Sequence, residues 1–151
     1  MHYANISGCD TGEGFIVGSD WGNLKFNIVG DVAVLDGDIG PATIWVERIG
    51  ARFLTPEEIT AFETAQYRVL AKVEREKQVS AIKVTISTGK TFDGDEQSQT
   101  RMARAIIGLQ AAGIPSLIWI LADNTVSEVT IAELTEAMIL SGQAQAAIWV
   151  I

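Results

Sequence analysis

The spacing of apolar residues changes along this chain, and each spacing predicts a different kind of element. Up to residue 55 the apolar positions come in short clusters, at 15–17, 24–29, 32–35 and 43–46. Turn-like pieces separate them: Trp21-Gly22-Asn23, Gly30-Asp31, Asp36-Gly37-Asp38 and Gly40-Pro41. Leu24, Phe26 and Ile28 alternate with polar residues, and Val32 and Val34 do so more loosely. This period of two predicts a meander of short antiparallel strands. A β-section this small needs another surface to cover one of its faces.

The period then lengthens. Thr55-Pro56-Glu57-Glu58 supplies a cap residue, a proline at the first helical position and a glutamate at the third, so reciprocal capping bonds can form. Ile59, Phe62, Val69, Leu70 and Val73 follow at helical spacing on roughly one side. The predicted helix is about 33 Å long at the standard rise per residue. Ile59, Phe62, Gln66, Val69 and Val73 also fit a heptad pattern with one polar core position. It runs for fewer than three repeats, too few to specify a coiled coil.

Beyond residue 80 the pattern reads strand, helix, strand pair, helix. Ile82, Val84 and Ile86 alternate as a half-buried strand, and Thr88-Gly89 turns the chain. Asp93 with Glu96 predicts a capping box for a helix whose buried stripe is Met102, Ile106 and Leu109. Gly113-Ile114-Pro115 ends that helix. Residues 117–121 form a strand that Asp123-Asn124 turns back through residues 125–129. Thr130 with Glu133 opens a last helix lined by Ile131, Leu134 and Met138 and ending at Gly142. Residues 146–151 are apolar throughout and are expected to be packed. The fold class expected is α+β, with a small N-terminal antiparallel β-rich part (1–55), a long connecting helix (56–79) and a C-terminal β-α-β-β-α unit (80–151).

Composition narrows the function. The 151 residues carry a formal charge of −8, with acids in excess on both sides of residue 80. That disfavours nucleic-acid binding by phosphate neutralisation. With one cysteine, Cys9, and one histidine, His2, neither an internal disulfide nor a thiolate or imidazole metal cage can be built. No secretory or membrane-spanning pattern occurs, so synthesis and folding in the cytosol are expected.

Motifs that resemble chemistry each have a simpler structural reading. Gly89-Lys90-Thr91 lacks the upstream glycine of a phosphate-binding loop. Asp36-Gly37-Asp38 and Asp93-Gly94-Asp95-Glu96 are fragments of calcium loops, but the twelfth position counted from Asp93 is Arg104, where a bidentate glutamate is needed. Asp123 suits an ordinary Asp-Asn turn, and His2 beside Met1 is no base for a serine triad. Neither catalytic, metal-binding nor cofactor-binding residues are assigned. Trp119 is expected in the core; Trp149 fits a subunit interface or the core, and Trp21 an exposed contact or a turn anchor.

From about Ile82 to Val150 the chain resembles a family of small domains of unknown function that commonly end phage tail-associated proteins. The residues that carry the resemblance are Thr91-Phe92-Asp93-Gly94-Asp95-Glu96-Gln97-Ser98, Arg101, Trp119, Ala122-Asp123-Asn124-Thr125-Val126, Val129-Thr130 and Leu134. They span slightly under half the chain. The family has no agreed activity and contributes no catalytic residues. The resemblance implies a non-enzymatic bacteriophage tail structural protein, associated with the tail fibre or tail tip and acting by docking. A tail-fibre assembly chaperone is the alternative, and a hydrolase acting on surface polysaccharide is a more remote one. The implied place is the virion tail after synthesis in the host cytoplasm. The implied partners are other tail or tail-fibre proteins and further copies of the chain, as a trimer or ring, with no nucleic acid and no membrane insertion. The interface candidates are Ile59, Phe62, Val69, Val73, Trp149 and Ile151. Thr55, Glu58, Asp93, Glu96, Thr130 and Glu133 are the expected helix caps.

Overall fold

The computed structural model describes residues 1–9 and 24–150. The cluster at 15–17, Trp21 with its turn, and Ile151 lie outside the described residues. The protein is α+β. The chain divides inside its longest helix into two compact units, Met1–Tyr67 and Arg68–Ile151.

In the first unit, β1 (His2–Asn5), β2 (Lys25–Val29), β3 (Val32–Asp36) and β4 (Arg52–Phe53) form an antiparallel sheet in the order β2-β3-β1-β4. β1 and β3 pair Ala4 with Ala33 and His2 with Leu35, so one face of the sheet carries the buried Ala4, Ala33 and Leu35. The expected strand at 43–46 is instead part of α1 (Ile39–Arg48). Ala42, Trp45, Val46 and Ile49 recur at helical spacing and all are buried in this unit's core, whereas a strand would have sent alternate residues to opposite faces. Pro41 lies in the first turn, where a missing N–H costs no hydrogen bond. Trp45 packs on Phe26 with ring centroids 5.2 Å apart.

The second unit opens on the end of α2 (Pro56–Ser80), whose Val79 is buried in its core. Two hairpins and two helices follow: β5 (Lys83–Thr85), β6 (Thr91–Asp93), α3 (Glu96–Ala112), β7 (Ser116–Ile120), β8 (Val126–Thr130) and α4 (Ile131–Trp149). The order after α2 is therefore β-β-α-β-β-α. The sequence pattern missed β6, which pairs Phe92 with Val84 and buries Phe92 completely. The hairpins are tied where the Ala122 amide donates to the Thr91 carbonyl at 3.0 Å. Met102, Ile106 and Leu109 from α3 meet Leu134 and Ala137 from α4 around Phe92 and Val129. Trp119 is half-buried against this core.

The helix ends follow local chemistry. Gly113 sits in the left-handed region at φ 67° and closes α3, with the Ile114 amide donating to the Leu109 carbonyl. Asn124 at φ 64° turns β7 into β8, with Asp123 accepting from the Thr125 amide at 2.9 Å. One expected end is wrong: α4 runs through Gly142 to Trp149. A single glycine costs a helix only about 1 kcal/mol, and Ala144 and Ile148 pack on the core beyond it.

Candidate functional site

Two of the three expected capping boxes form as read. Thr55 Oγ1 accepts from the Glu58 amide and Glu58 accepts from the Thr55 amide; Arg52 adds a two-pronged ion pair to the same carboxylate at 2.7 Å. Glu58 is held down to about 2, chiefly by the Arg52 hydrogen bonds and then by the Thr55 amide. Thr130 and Glu133 exchange the same two bonds at the start of α4.

The third box is displaced. Asp93 ends β6 opposite Lys83, and the cap of α3 is Asp95, whose Oδ1 accepts from the amides of Gln97 and Ser98 while its Oδ2 accepts from Ser98 Oγ. Glu96 is the first residue of the helix and accepts from Gln145 on α4. Burial opposes the charge on Asp95, but the hydrogen bonds from Ser98 and Gln97 outweigh it and leave its pKa below the usual carboxylate value. Asp95→Ala is expected to cost about 1 kcal/mol, as for other cap removals. Asp93→Ala should stay within about 0.5 kcal/mol. Chemical denaturation of both variants checks the assignment, and a larger loss at Asp93 would reverse it.

Lys90, the basic residue of the Gly-Lys-Thr turn, is committed to the fold. Its Nζ donates to the Glu128 carbonyl at 2.7 Å and lies 2.9 Å from Glu133 Oε1. The β5–β6 turn is pinned to α4 beside it, where Ser87 donates through amide and hydroxyl to Glu136 and Thr88 donates to Glu133. No local pattern reveals this latch, because its paired members lie 38 to 49 residues apart. The Lys90 hydrogen bond, followed by the Thr130 amide, holds Glu133 down to about 2 against an ordinary 4.5. A carboxyl depressed in the folded state contributes stability above its unfolded pKa and loses that contribution as pH falls toward the folded value. The melting temperature should therefore drop between about pH 4.5 and pH 2. Lys90→Met should shrink that drop, and a variant with the wild-type acid profile would exclude the latch.

Acid–base hydrolysis needs a proton donor held neutral near working pH. Among the described residues, the carboxylates with a resolved shift are Glu58, Asp95, Asp123 and Glu133, and each moves down. Each is occupied by a cap, a turn or an ion pair. No group of three or more His, Cys, Asp or Glu side chains among the described residues is placed to hold a metal ion.

The uncovered apolar surface lies elsewhere. Ile118, Ile120 and Val126 project from the outer face of the β7–β8 hairpin at 65, 63 and 69% exposure, with Ile120 directly opposite Val126. Of the interface candidates, Ile59 and Phe62 are half-buried, and Phe62 packs on Tyr3 with centroids 5.5 Å apart. Val69 and Val73 are open to solvent, and so is Leu70 beside them. Trp149 is 48% exposed, with the Arg75 guanidinium 5.6 Å from its ring centroid. Ile151 lies outside the described residues.

The family profile described as a domain of unknown function, DUF4376, matches residues 65–149. The chain belongs to the DUF4376 family. The match begins inside α2, close to the division between the two units, and takes in both hairpins, α3 and nearly all of α4. The latch, the two C-terminal caps and the exposed β7–β8 face are all parts of the DUF4376 unit. No curated protein and no solved structure matches the chain.

Proposed function

We propose that this DUF4376 protein is a non-enzymatic structural component of a bacteriophage tail, associated with the tail fibre or tail tip and acting by docking. The observation that carries the reading is the uncovered apolar face of Ile118, Ile120 and Val126 on a hairpin braced by the unit's own core. Contiguous exposed apolar residues on a folded unit mark a contact surface. The resemblance of residues 82–150 to domains that end tail-associated proteins supplies the setting, and the commitment of the resolved carboxylates to caps, turns and ion pairs favours docking over hydrolysis. The partner is another tail or tail-fibre protein, and the place of action is the virion tail, after synthesis in the host cytoplasm.

Mass spectrometry of purified particles tests this. The protein should be present at a fixed ratio to the other tail proteins, and Ile118→Lys with Val126→Lys should remove it from particles without changing its melting. Absence from particles, together with misassembled fibres when the protein is missing, would transfer the role to a fibre-assembly chaperone. Absence from particles with normal fibres would end both readings.

A further inference from the structure

The middle of α2 is apolar, exposed and outside both cores. Val69, Leu70 and Val73 are 58, 67 and 58% exposed and belong to neither buried cluster. With Gln66 they share one side of the helix, and Glu63 and Lys77 continue that side in opposite directions within an arc of about 120°. The helix is anchored at each end instead: Phe62 packs on Tyr3, and Val79 enters the C-terminal core.

The charges along α2 are segregated. From Pro56 to Tyr67 its ionised side chains are Glu57, Glu58 and Glu63, with no base; from Arg68 onward it carries Arg68, Lys72, Arg75 and Lys77 against Glu74 and Glu76. The helix dipole accounts for acids in the first turn, but its effect fades within that turn. Further along, Glu63 accepts from the Tyr3 hydroxyl at 2.8 Å, and Lys72 and Lys77 lie 3.9 and 4.0 Å from Glu76 and Glu74, long exposed contacts that leave both ammonium groups open to a second partner. Segregation of this kind is self-complementary only when two copies run in opposite directions.

We propose that α2 pairs with α2 of a second copy of this chain, antiparallel, about a two-fold axis at Val69–Leu70. Val69 then meets Leu70 of the partner subunit, Gln66 lies against Val73 of the partner subunit, and Glu63 comes within one residue of level with Lys77 of the partner subunit. A parallel pair or trimer would instead set Glu63 on Glu63 and Lys77 on Lys77, a like-charge arrangement that disfavours it. A two-fold interface uses the same patch on both copies, as this stripe requires. The stripe is small beside a standard interface of about 800 Å² per partner, so the dimer should dissociate on dilution. The proposal does not depend on the tail reading.

Light scattering across a concentration series tests the surface. The wild-type mass should rise from the chain mass of 16.3 kDa toward twice that value. Leu70→Lys should stay at the chain mass throughout, with wild-type melting because Leu70 is exposed. Orientation is read in a Cys9→Ser background by mixing Gln66→Cys with Val73→Cys and oxidising. An antiparallel pair gives mainly the mixed disulfide, while a parallel one gives each variant bonded to itself. A wild-type monomer at every concentration, a trimer mass, a Leu70→Lys dimer or dominant self-disulfides would each overturn the proposal. None of these results bears on whether the protein is present in particles.

Discussion

Leu134→Asp is expected to unfold residues 68–150 at ambient temperature. Leu134 lies one turn inside α4, is fully buried and belongs to the cluster that joins both hairpins to α3 and α4. Removing its side chain from a packed core costs about 2–5 kcal/mol from lost contacts and cavity formation. The carboxylate must then be buried without a partner or take up a proton, which adds several kcal/mol more. A domain of ordinary stability has about 5–15 kcal/mol in total, and a unit this small sits toward the lower end. Circular dichroism should show the cooperative transition of this unit lost. Leu134→Met, which nearly preserves volume, should cost less than about 1.5 kcal/mol and separates a packing loss from a general intolerance of change. A wild-type melt for Leu134→Asp would remove Leu134 from the core.

Features of the fold that depend on a few consecutive residues were legible in the sequence, and those that depend on distant partners were not. The boxes at Thr55 and Thr130 are closed by glutamates three residues on, so four residues specify them. The α3 start offered two readings, because Asp93-Gly94-Asp95-Glu96 contains two aspartates, each with a polar residue three positions later. β6 decides between them: Asp93 is taken up opposite Lys83, which leaves Asp95 to cap. β6 itself is three residues long, and its identity rests on Phe92 facing Val84 across a hairpin, a pairing that no local period reveals. At 43–46, Thr-Ile-Trp-Val has strand-like composition, yet helical spacing from Ala42 to Ile49 governs because all four positions of that stripe find cover.

The candidate surfaces divide the same way. Helical periodicity placed Ile59, Phe62, Val69 and Val73 on one side of α2 correctly. It did not separate Phe62, which Tyr3 covers, from Val69 and Val73, which are uncovered, because Tyr3 arrives from β1, far away in sequence. The β7–β8 face was hidden for a related reason. Residues 117–121 are apolar on both sides of the strand: Trp119, expected in the core, packs against it with Leu117, but an apolar run does not show that Ile118 and Ile120 on the other side go uncovered.

Gly94→Ala should destabilise the same unit by about 1–3 kcal/mol, the usual range for overpacking a core. Gly94 links β6 to α3 and lies against both hairpin and helix: a Cβ built there would sit 2.5 Å from Ile82 Cγ2 and 2.6 Å from Ser141 Oγ. Its φ is not in the left-handed region, so the penalty comes from lack of space rather than from backbone strain. Neither neighbour can retreat easily. The Gly94 amide donates to the Ile82 carbonyl at 2.8 Å, and Ser141, fully buried in α4, donates its hydroxyl to the Ala137 carbonyl at 2.7 Å. Gln99 further fixes the segment by donating to the Gly94 carbonyl. Ser141→Gly removes one of the two obstructions while itself costing about 1 kcal/mol of helix propensity. The double variant should therefore be more stable than the sum of the single losses implies, by about 0.5–3 kcal/mol for groups in direct contact. Recovery should be incomplete, because Ile82 still blocks the methyl group. Simple additivity in urea denaturation would mean that Gly94 and Ser141 do not meet, and the close approach of the β6–α3 link to α4 would have to be abandoned.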